Sequence, residues 1–165
     1  ILKMATTNGF EESKVVSDNN NQETTKDRTS LTTFLESGDN DLLQKIDQKL
    51  IKILNKPLEN IEPLQIVKYS ENAYYKEHFD AYKKSHRYAT FLIYLNDDFE
   101  NGCTHFPRLH KFISPKKGKA VLFFNLLPFP FQSFVHPLSL HAGLPPTNGT
   151  KYVCNKWIRL KKFSC

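Results

Sequence analysis

Leu42, Leu43, Ile46, Leu50, Ile53 and Leu54 recur at the three- and four-residue spacing of one helix face. Ser37 or Asp39 is placed to cap the start and Pro57 to close the end, so the pattern predicts one helix whose apolar stripe packs on a core. Beyond Pro63 the period changes. The runs Leu64 to Tyr69, Arg87 to Leu95, Ala120 to Asn125 and Tyr152 to Leu160 are rich in aromatic and β-branched residues and read as strands. Asn96-Asp97-Asp98, Lys116-Lys117-Gly118 and the segment Pro145 to Gly149 punctuate them as turns. One helix followed by many strands predicts a mainly β (α+β) domain, a sandwich or barrel with helical support on one face. Residues 1 to 30 read as loop, because the tract from Ser17 to Thr25 lacks the apolar residues that fix a conformation.

The 165 residues, 39% hydrophobic and 13% aromatic, suit a single globular domain, here residues 1–165 with 1–62 as support and 63–160 as the strand-rich core. No apolar run approaches the ~20 residues of a membrane-spanning helix, so no membrane partner is expected and the chain reads as soluble. The opening Ile-Leu-Lys-Met lacks a signal-peptide layout, and a start on Ile rather than Met leaves the compartment open. The net charge of +6 gathers in two clusters, Arg108 to Lys119 and Lys151 to Lys162. Such a surface attracts nucleic acid or acidic ligands, but no nucleic-acid-binding motif accompanies it, and it reads as a solvated basic face. Cys103, Cys154 and Cys165 form no even framework and no zinc spacing. They read as mostly free thiols, with a Cys103–Cys154 bridge left open should their strands be neighbours.

Candidate chemistry begins at His78-Phe79-Asp80. On an extended strand residues i and i+2 share a face, so an imidazole and a carboxylate reach one point. A third histidine from elsewhere would complete a two-histidine, one-carboxylate facial triad, the arrangement that holds non-haem Fe(II) with open coordination positions. His86, His105, His110, His136 and His141 are available. His141 stands out because it follows the Ser139-Leu140 strand start and lies ten residues before Lys151. If the two strands are antiparallel neighbours, Lys151 reaches across a cavity to an anion bound at the metal. Spacing alone leaves a strand-end histidine, a turn histidine and a surface lysine as alternatives.

Five segments carry a resemblance: Tyr75 to Ala81, Arg87 to Asn96, Asn101 to Pro107, Pro115 to Asn125 and Ser139 to Arg159. In this order and spacing they resemble the prolyl 4-hydroxylase family of Fe(II)- and 2-oxoglutarate-dependent dioxygenases, over about Pro63 to Arg159. Asp27-Arg28-Thr29-Ser30 and the following helix are similar to that family's supporting region. The resemblance implies a double-stranded β-helix (jelly-roll) core with N-terminal helical support. It implies His78, Asp80 and His141 as iron ligands, and Lys151 with Tyr69, Thr104 and Tyr94 at the distal carboxylate of 2-oxoglutarate. Arg87, Trp157 and Arg159 match positions that line the family's peptide groove. The implied reaction is hydroxylation of peptidyl proline with decarboxylation of 2-oxoglutarate to succinate, using Fe(II), dioxygen and ascorbate as reductant.

Two positions depart from the family pattern: Cys103, where glutamate is common, and Arg159, where some members carry histidine. Both bear on peptide choice rather than on the iron. The segment between Asp80 and Arg87 is short, and the sequon Asn148-Gly149-Thr150 sits so close to Lys151 that a glycan would crowd the pocket. The alternatives are a non-catalytic binding module for proline-rich peptides and a nucleic-acid oxygenase on the same scaffold, which would use the basic clusters. The complete set His78, Asp80, His141 and Lys151 favours an enzyme acting on a proline-containing peptide or protein.

Overall fold

A computed structural model describes residues 1–16, 22–38, 40–82 and 86–163. The chain opens with helix α1 (Leu2–Asn8) and strands β1 (Glu11–Glu12), β2 (Val15–Val16), β3 (Gln22–Glu23) and β4 (Leu31–Leu35), followed by helix α2 (Asp41–Leu54). The remainder is β5 (Leu64–Tyr69), β6 (Tyr75–His78), β7 (Arg87–Tyr94), β8 (Glu100–Asn101), β9 (Thr104–Phe106) and β10 (Lys111–Ile113). It ends with β11 (Ala120–Phe124), β12 (His141–Gly143), β13 (Pro146–Thr147) and β14 (Lys151–Arg159). Six strands form one sheet in the order β1-β4-β5-β14-β7-β11, and four form a second in the order β10-β9-β12-β6. The two sheets face each other across a shared cavity, as the expected double-stranded β-helix requires.

The four strands read from the sequence occur within a residue of their expected ends. One face of the six-stranded sheet turns to the cavity, which alternate residues of β14, Lys151, Val153, Asn155 and Trp157, line. Residues 1 to 30 differ from the loop expected of them. Helix α1 is too short to hold itself, and it is fixed by Ala5, fully buried against Leu35, Leu43, Leu64 and Ile66. Strands β1 and β4 extend the main sheet, with Thr33 opposite Ile66 and Glu11 opposite Thr32. Most of the polar tract, residues 17–21, lies outside the described residues.

Helix α2 is where its periodicity puts it, but its cap is another residue. Asn40 Oδ1 accepts from Leu43 N at 3.2 Å, and Asn55 closes the helix in the left-handed region. Asp39 lies outside the described residues. Ser37 instead donates its hydroxyl to the Asp47 carboxylate. The buried face is Leu43, Asp47 and Leu50, while Leu42 and Ile53, roughly a quarter-turn off its centre, stay exposed. Asp47 holds a place in this apolar stripe because Lys156 of β14, equally buried, reaches it at 2.9 Å and locks helix to sheet.

One further expectation is met and one is corrected. Cys103 and Cys154 are both free, as read: Cys154 sits in the core under α1, where burial pushes its thiol up to about 12, and Cys103 is half-buried in the link just before β9 of the other sheet. And β12 is not a neighbour of β14. His141 belongs to the four-stranded sheet and Lys151 to the six-stranded one, so the lysine approaches from across the cavity rather than along a shared ladder.

Candidate active site

Strand β12 starts at His141 itself, after a short 3-10 turn over Pro137–Ser139, and pairs antiparallel with β6 so that His141 faces His78. The chain bends immediately after His78 and brings Asp80 under both rings. His78 Nε2 lies 3.7 Å from Asp80 Oδ1, and His141 Nε2 lies 3.9 Å from Asp80 Oδ2. The three ligand atoms fall within 4.8 Å of one another, the cluster among the described residues with the composition to hold a metal ion.

Each imidazole is oriented for that task. His78 Nδ1 is 2.7 Å from the Lys76 carbonyl and His141 Nδ1 2.9 Å from the Ser139 carbonyl. A carbonyl only accepts, so Nδ1 carries the hydrogen in both rings and each Nε2 turns its lone pair inward. Tyr75 stacks on His78 at 3.5 Å, and Phe106 and Phe123 enclose His141. Burial, helped by His141, pushes His78 down to about 3 against the pull of Asp80, which keeps its ring neutral. Burial would raise the Asp80 carboxyl, but His141, His78 and the Thr90 hydroxyl outweigh it and hold the group at about 2. Neutral imidazoles with an ionised carboxylate are the protonation states a divalent cation needs.

Behind the carboxylate stands a buried relay that the sequence did not reveal. Thr90 on β7 donates to Asp80 Oδ2 at 2.6 Å, and Asn125 Nδ2 donates to Thr90 Oγ1 at 2.8 Å. Both residues are fully buried. Only the register of β7 against β11, invisible in the sequence, joins them.

Across the cavity Lys151 stands opposite Tyr69 in the β14–β5 ladder. It is 1% exposed, and its Nζ donates to the carbonyls of Leu144 at 2.8 Å and Gly102 at 3.1 Å, over the Tyr69 ring at 4.1 Å. Both acceptors are neutral, and burial lowers its ammonium to about 7. A buried ammonium solvated by two carbonyls is a receptor for an anion. The lysine stem passes beside Gly102, where φ is +66 and a Cβ would stand 2.8 Å from the Phe99 ring and 3.3 Å from Lys151 Cδ, so the position stays without a side chain. Burial raises Tyr69 to about 12, so its hydroxyl remains a donor. A Cβ on Gly143 would stand 3.0 Å from that hydroxyl, which keeps this stretch of β12 bare.

His78, Asp80, His141, Tyr69, Thr104, Lys151, Arg87 and Trp157 line one cavity of about 610 Å³. Tyr94 and Arg159 are not among its walls. Tyr94 is buried with its hydroxyl 2.6 Å from Thr104 Oγ1 and 3.1 Å from the Ile113 carbonyl. Arg159 reaches Glu62 at 3.5 Å. Glu62 also takes Arg87 in a two-pronged contact of 2.9 and 2.8 Å, and the Arg87 guanidinium lies 3.5 Å above the Trp157 ring. Burial opposes the Arg87 charge, but Glu62 outweighs it and raises the group. The Trp157 Nε1 finds no hydrogen-bond partner among the described residues. Arg28, fixed by Ser30 and the Lys14 carbonyl and lying 4.7 Å over Tyr75, adds a wall that only the Asp27 to Ser30 segment hinted at. The remaining histidines stand elsewhere: His105 stacks on Phe112, and His136 accepts from Leu138 N.

Comparison with known proteins agrees with this geometry. The family model of the 2OG-Fe(II) oxygenase superfamily matches residues 64–159. Prolyl 4-hydroxylase 2 of Arabidopsis thaliana is 33% identical over 178 residues, covering 90% of this chain and 58% of that protein. Prolyl 4-hydroxylase subunit alpha-2 of Gallus gallus is 34% identical over 140 residues, covering 79% of this chain and 26% of that one. The chain thus spans at most a little over half the length of these two curated relatives. Among solved structures, the viral collagen prolyl hydroxylase of Paramecium bursaria Chlorella virus-1 in its 2OG complex superposes with a TM-score of 0.71 at 32% identity, covering 80% of this chain and 79% of that one.

Proposed function

Because this chain belongs to the 2OG-Fe(II) oxygenase superfamily and, within it, to the prolyl 4-hydroxylase family, we propose that it hydroxylates peptidyl proline while 2-oxoglutarate is decarboxylated to succinate. The observation that carries this reading is the opposition, across one cavity, of an open His78–Asp80–His141 triad and the buried ammonium of Lys151.

The donor set fits Fe(II), with two nitrogens and one carboxylate that leave the other positions open. When bound, Fe(II) with 2-oxoglutarate and dioxygen supplies the oxidising chemistry, with ascorbate as the reductant that keeps the metal ferrous. The protein's residues hold and orient. His78, Asp80 and His141 are the ligands, their angles set by the Lys76 and Ser139 carbonyls and by Thr90. Lys151, Tyr69 and Thr104 receive the distal carboxylate of 2-oxoglutarate through charge-assisted and hydroxyl hydrogen bonds. Tyr94 acts on that pocket through Thr104. Phe106 and Phe123 keep water from the His141 side. At the mouth Trp157 and the Arg87–Glu62–Arg159 network form the ledge for a proline-containing peptide, whose preformed extended helix loses little entropy on docking.

The test is mass spectrometry of proline-rich peptides incubated with the protein, Fe(II), 2-oxoglutarate and ascorbate. The expected result is a gain of one oxygen on proline matched by succinate. Succinate formed with no peptide gaining oxygen would overturn the substrate assignment, and absence of both would overturn the reaction.

A further inference from the structure

The charge of the chain is divided. The first 100 residues hold all seventeen carboxylates and thirteen of the Lys and Arg; from Asn101 to Cys165 there are ten Lys and Arg and no Asp or Glu. Exposed apolar groups follow the same division. Seven of the twelve large apolar side chains exposed among the described residues lie between Leu109 and Leu138.

They converge on the connection between β11 and β12. Leu127 N donates to the Phe134 carbonyl, and Leu126 bridges Val135, so the segment leaves the barrel as a closed finger. Turns at Pro128–Phe131 and Phe131–Phe134 fold its tip. On that tip Phe129 is 83% exposed, Phe131 58% and Phe134 62%. None of the three lines the catalytic cavity. Pro128 and Pro130 deny the tip a strand edge, so it does not present itself for sheet pairing.

Cations stand behind the finger. Exposed Arg108 donates to the Pro137 carbonyl at its base at 3.2 Å, and exposed Lys111 opens β10 just after it. The exposed Lys161 and Lys162 continue β14 past its last pair with β7, at the sheet end where β11 releases the finger, two strand spacings or about 10 Å away. Lys56 lies over Tyr88, which in turn touches Phe124. Among the described residues Glu59, whose carbonyl accepts from Phe163 N, is an exposed carboxylate near the lysines, and Glu62 is buried by its arginines.

We propose that this finger docks the protein on an anionic lipid surface. Charge and exposure together select the occupant: a projecting apolar apex with cations set behind it, in a half of the chain without carboxylates, matches an acyl layer lying beneath a sheet of phosphates. Such a contact is peripheral and needs no spanning helix, and the described residues hold no helix long and apolar enough to cross a membrane.

The experiment is co-sedimentation of the protein with phosphatidylcholine vesicles and with equimolar phosphatidylcholine–phosphatidylserine vesicles, at low and high salt. Expected is binding to the anionic vesicles at least about tenfold stronger than to the neutral ones, and weaker in salt. The Phe129→Ser, Phe131→Ser, Phe134→Ser triple variant should lose at least about tenfold in vesicle affinity while keeping its circular dichroism and its metal binding. Phe129→Trp should show blue-shifted emission on anionic vesicles. No binding to anionic vesicles, equal binding by the triple variant, or an unshifted tryptophan would each overturn the proposal. So would self-association of the wild type, lost in the triple variant without any vesicle binding, which would assign the finger to a second copy of the chain.

Discussion

His141 lies directly opposite His78 in the β12–β6 ladder, and each ring is tied by Nδ1 to a carbonyl two residues before it in its own chain. The two imidazoles are thus held by the same local device on adjacent antiparallel strands, and Asp80 is the only ligand that has to be delivered by a bend. Removing a ligand should therefore empty the site without disturbing the sheet. Asp80→Ala and His141→Ala are expected to lose bound Fe(II) and turnover while retaining the wild-type circular dichroism. Metal content measured beside succinate formation decides this, and near-normal succinate in either variant would refute the metal assignment.

The relay behind Asp80 gives a graded version of the same effect. Thr90→Val and Asn125→Ala leave all three ligands in place but free the carboxylate to rotate, and loss of an outer-shell partner typically costs about 10- to 100-fold in metal affinity. Titration with Mn(II) or Co(II) should place both variants in that range. The Co(II) absorption spectrum should change with them, which a purely structural role would not produce.

Lys151→Ala should raise the 2-oxoglutarate requirement by at least about tenfold to a hundredfold, from roughly 1.5–3 kcal/mol for a charged hydrogen bond, with metal content unchanged. Lys151→Arg should rescue in part, since a planar fork does not fit a pocket shaped for a point charge.

The lowered Lys151 value, about 7, also fixes a pH dependence. The anion binds the ammonium form, so above pH 7 binding takes up a proton and half-saturation rises with pH, approaching about tenfold per unit. The unfolded chain binds more protons than the folded one between about 7 and the ordinary 10.5, so stability of the ligand-free protein rises with pH over that window. Lys151→Arg, charged throughout, should flatten both profiles. Anaerobic binding titrations and thermal unfolding across pH 6 to pH 9 measure the two signs separately.

At the opposite face of β14 the buried pair Lys156–Asp47 predicts a loss of stability without a loss of chemistry. Asp47→Ala strands an ammonium that is almost fully buried, a change that costs about 3–5 kcal/mol. The double variant Asp47→Leu, Lys156→Met should recover most of it, because no charge remains to be satisfied. Urea denaturation of the three proteins checks the order.

The parts of the molecule that the sequence announced are those with a local cause. Leu64–Tyr69 and Lys151–Arg159 are marked by their own aromatic and branched residues, and α2 repeats along a single helix, so each is visible within ten or fifteen residues. The candidate metal cluster was legible because His78 and Asp80 are two apart and because the segments around them resemble a family in order. What stayed hidden depends on partners distant in the chain. Nothing near Leu2–Asn8 says that Ala5 will meet Ile66 and Cys154, and nothing near Asn125 says that Thr90 will lie beneath it. The supposed neighbourhood of His141 and Lys151 failed for the same reason: ten residues of separation looked like a hairpin, and the chain instead crosses from one sheet to the other.

That crossing turns the barrel into a ruler. The metal ligands hang from one sheet and its adjoining bend, the ammonium from the other, and facing sheets stand about 10 Å apart because side chains of ordinary length must meet between them. On the proposed reading, the span between the chelating and distal ends of 2-oxoglutarate is set by two facing sheets rather than by neighbours on one strand, so a diacid one carbon shorter or longer is expected to bind more weakly. Chain-length selectivity is in that case shared between the spacing of the two sheets and the reach of Lys151 between them.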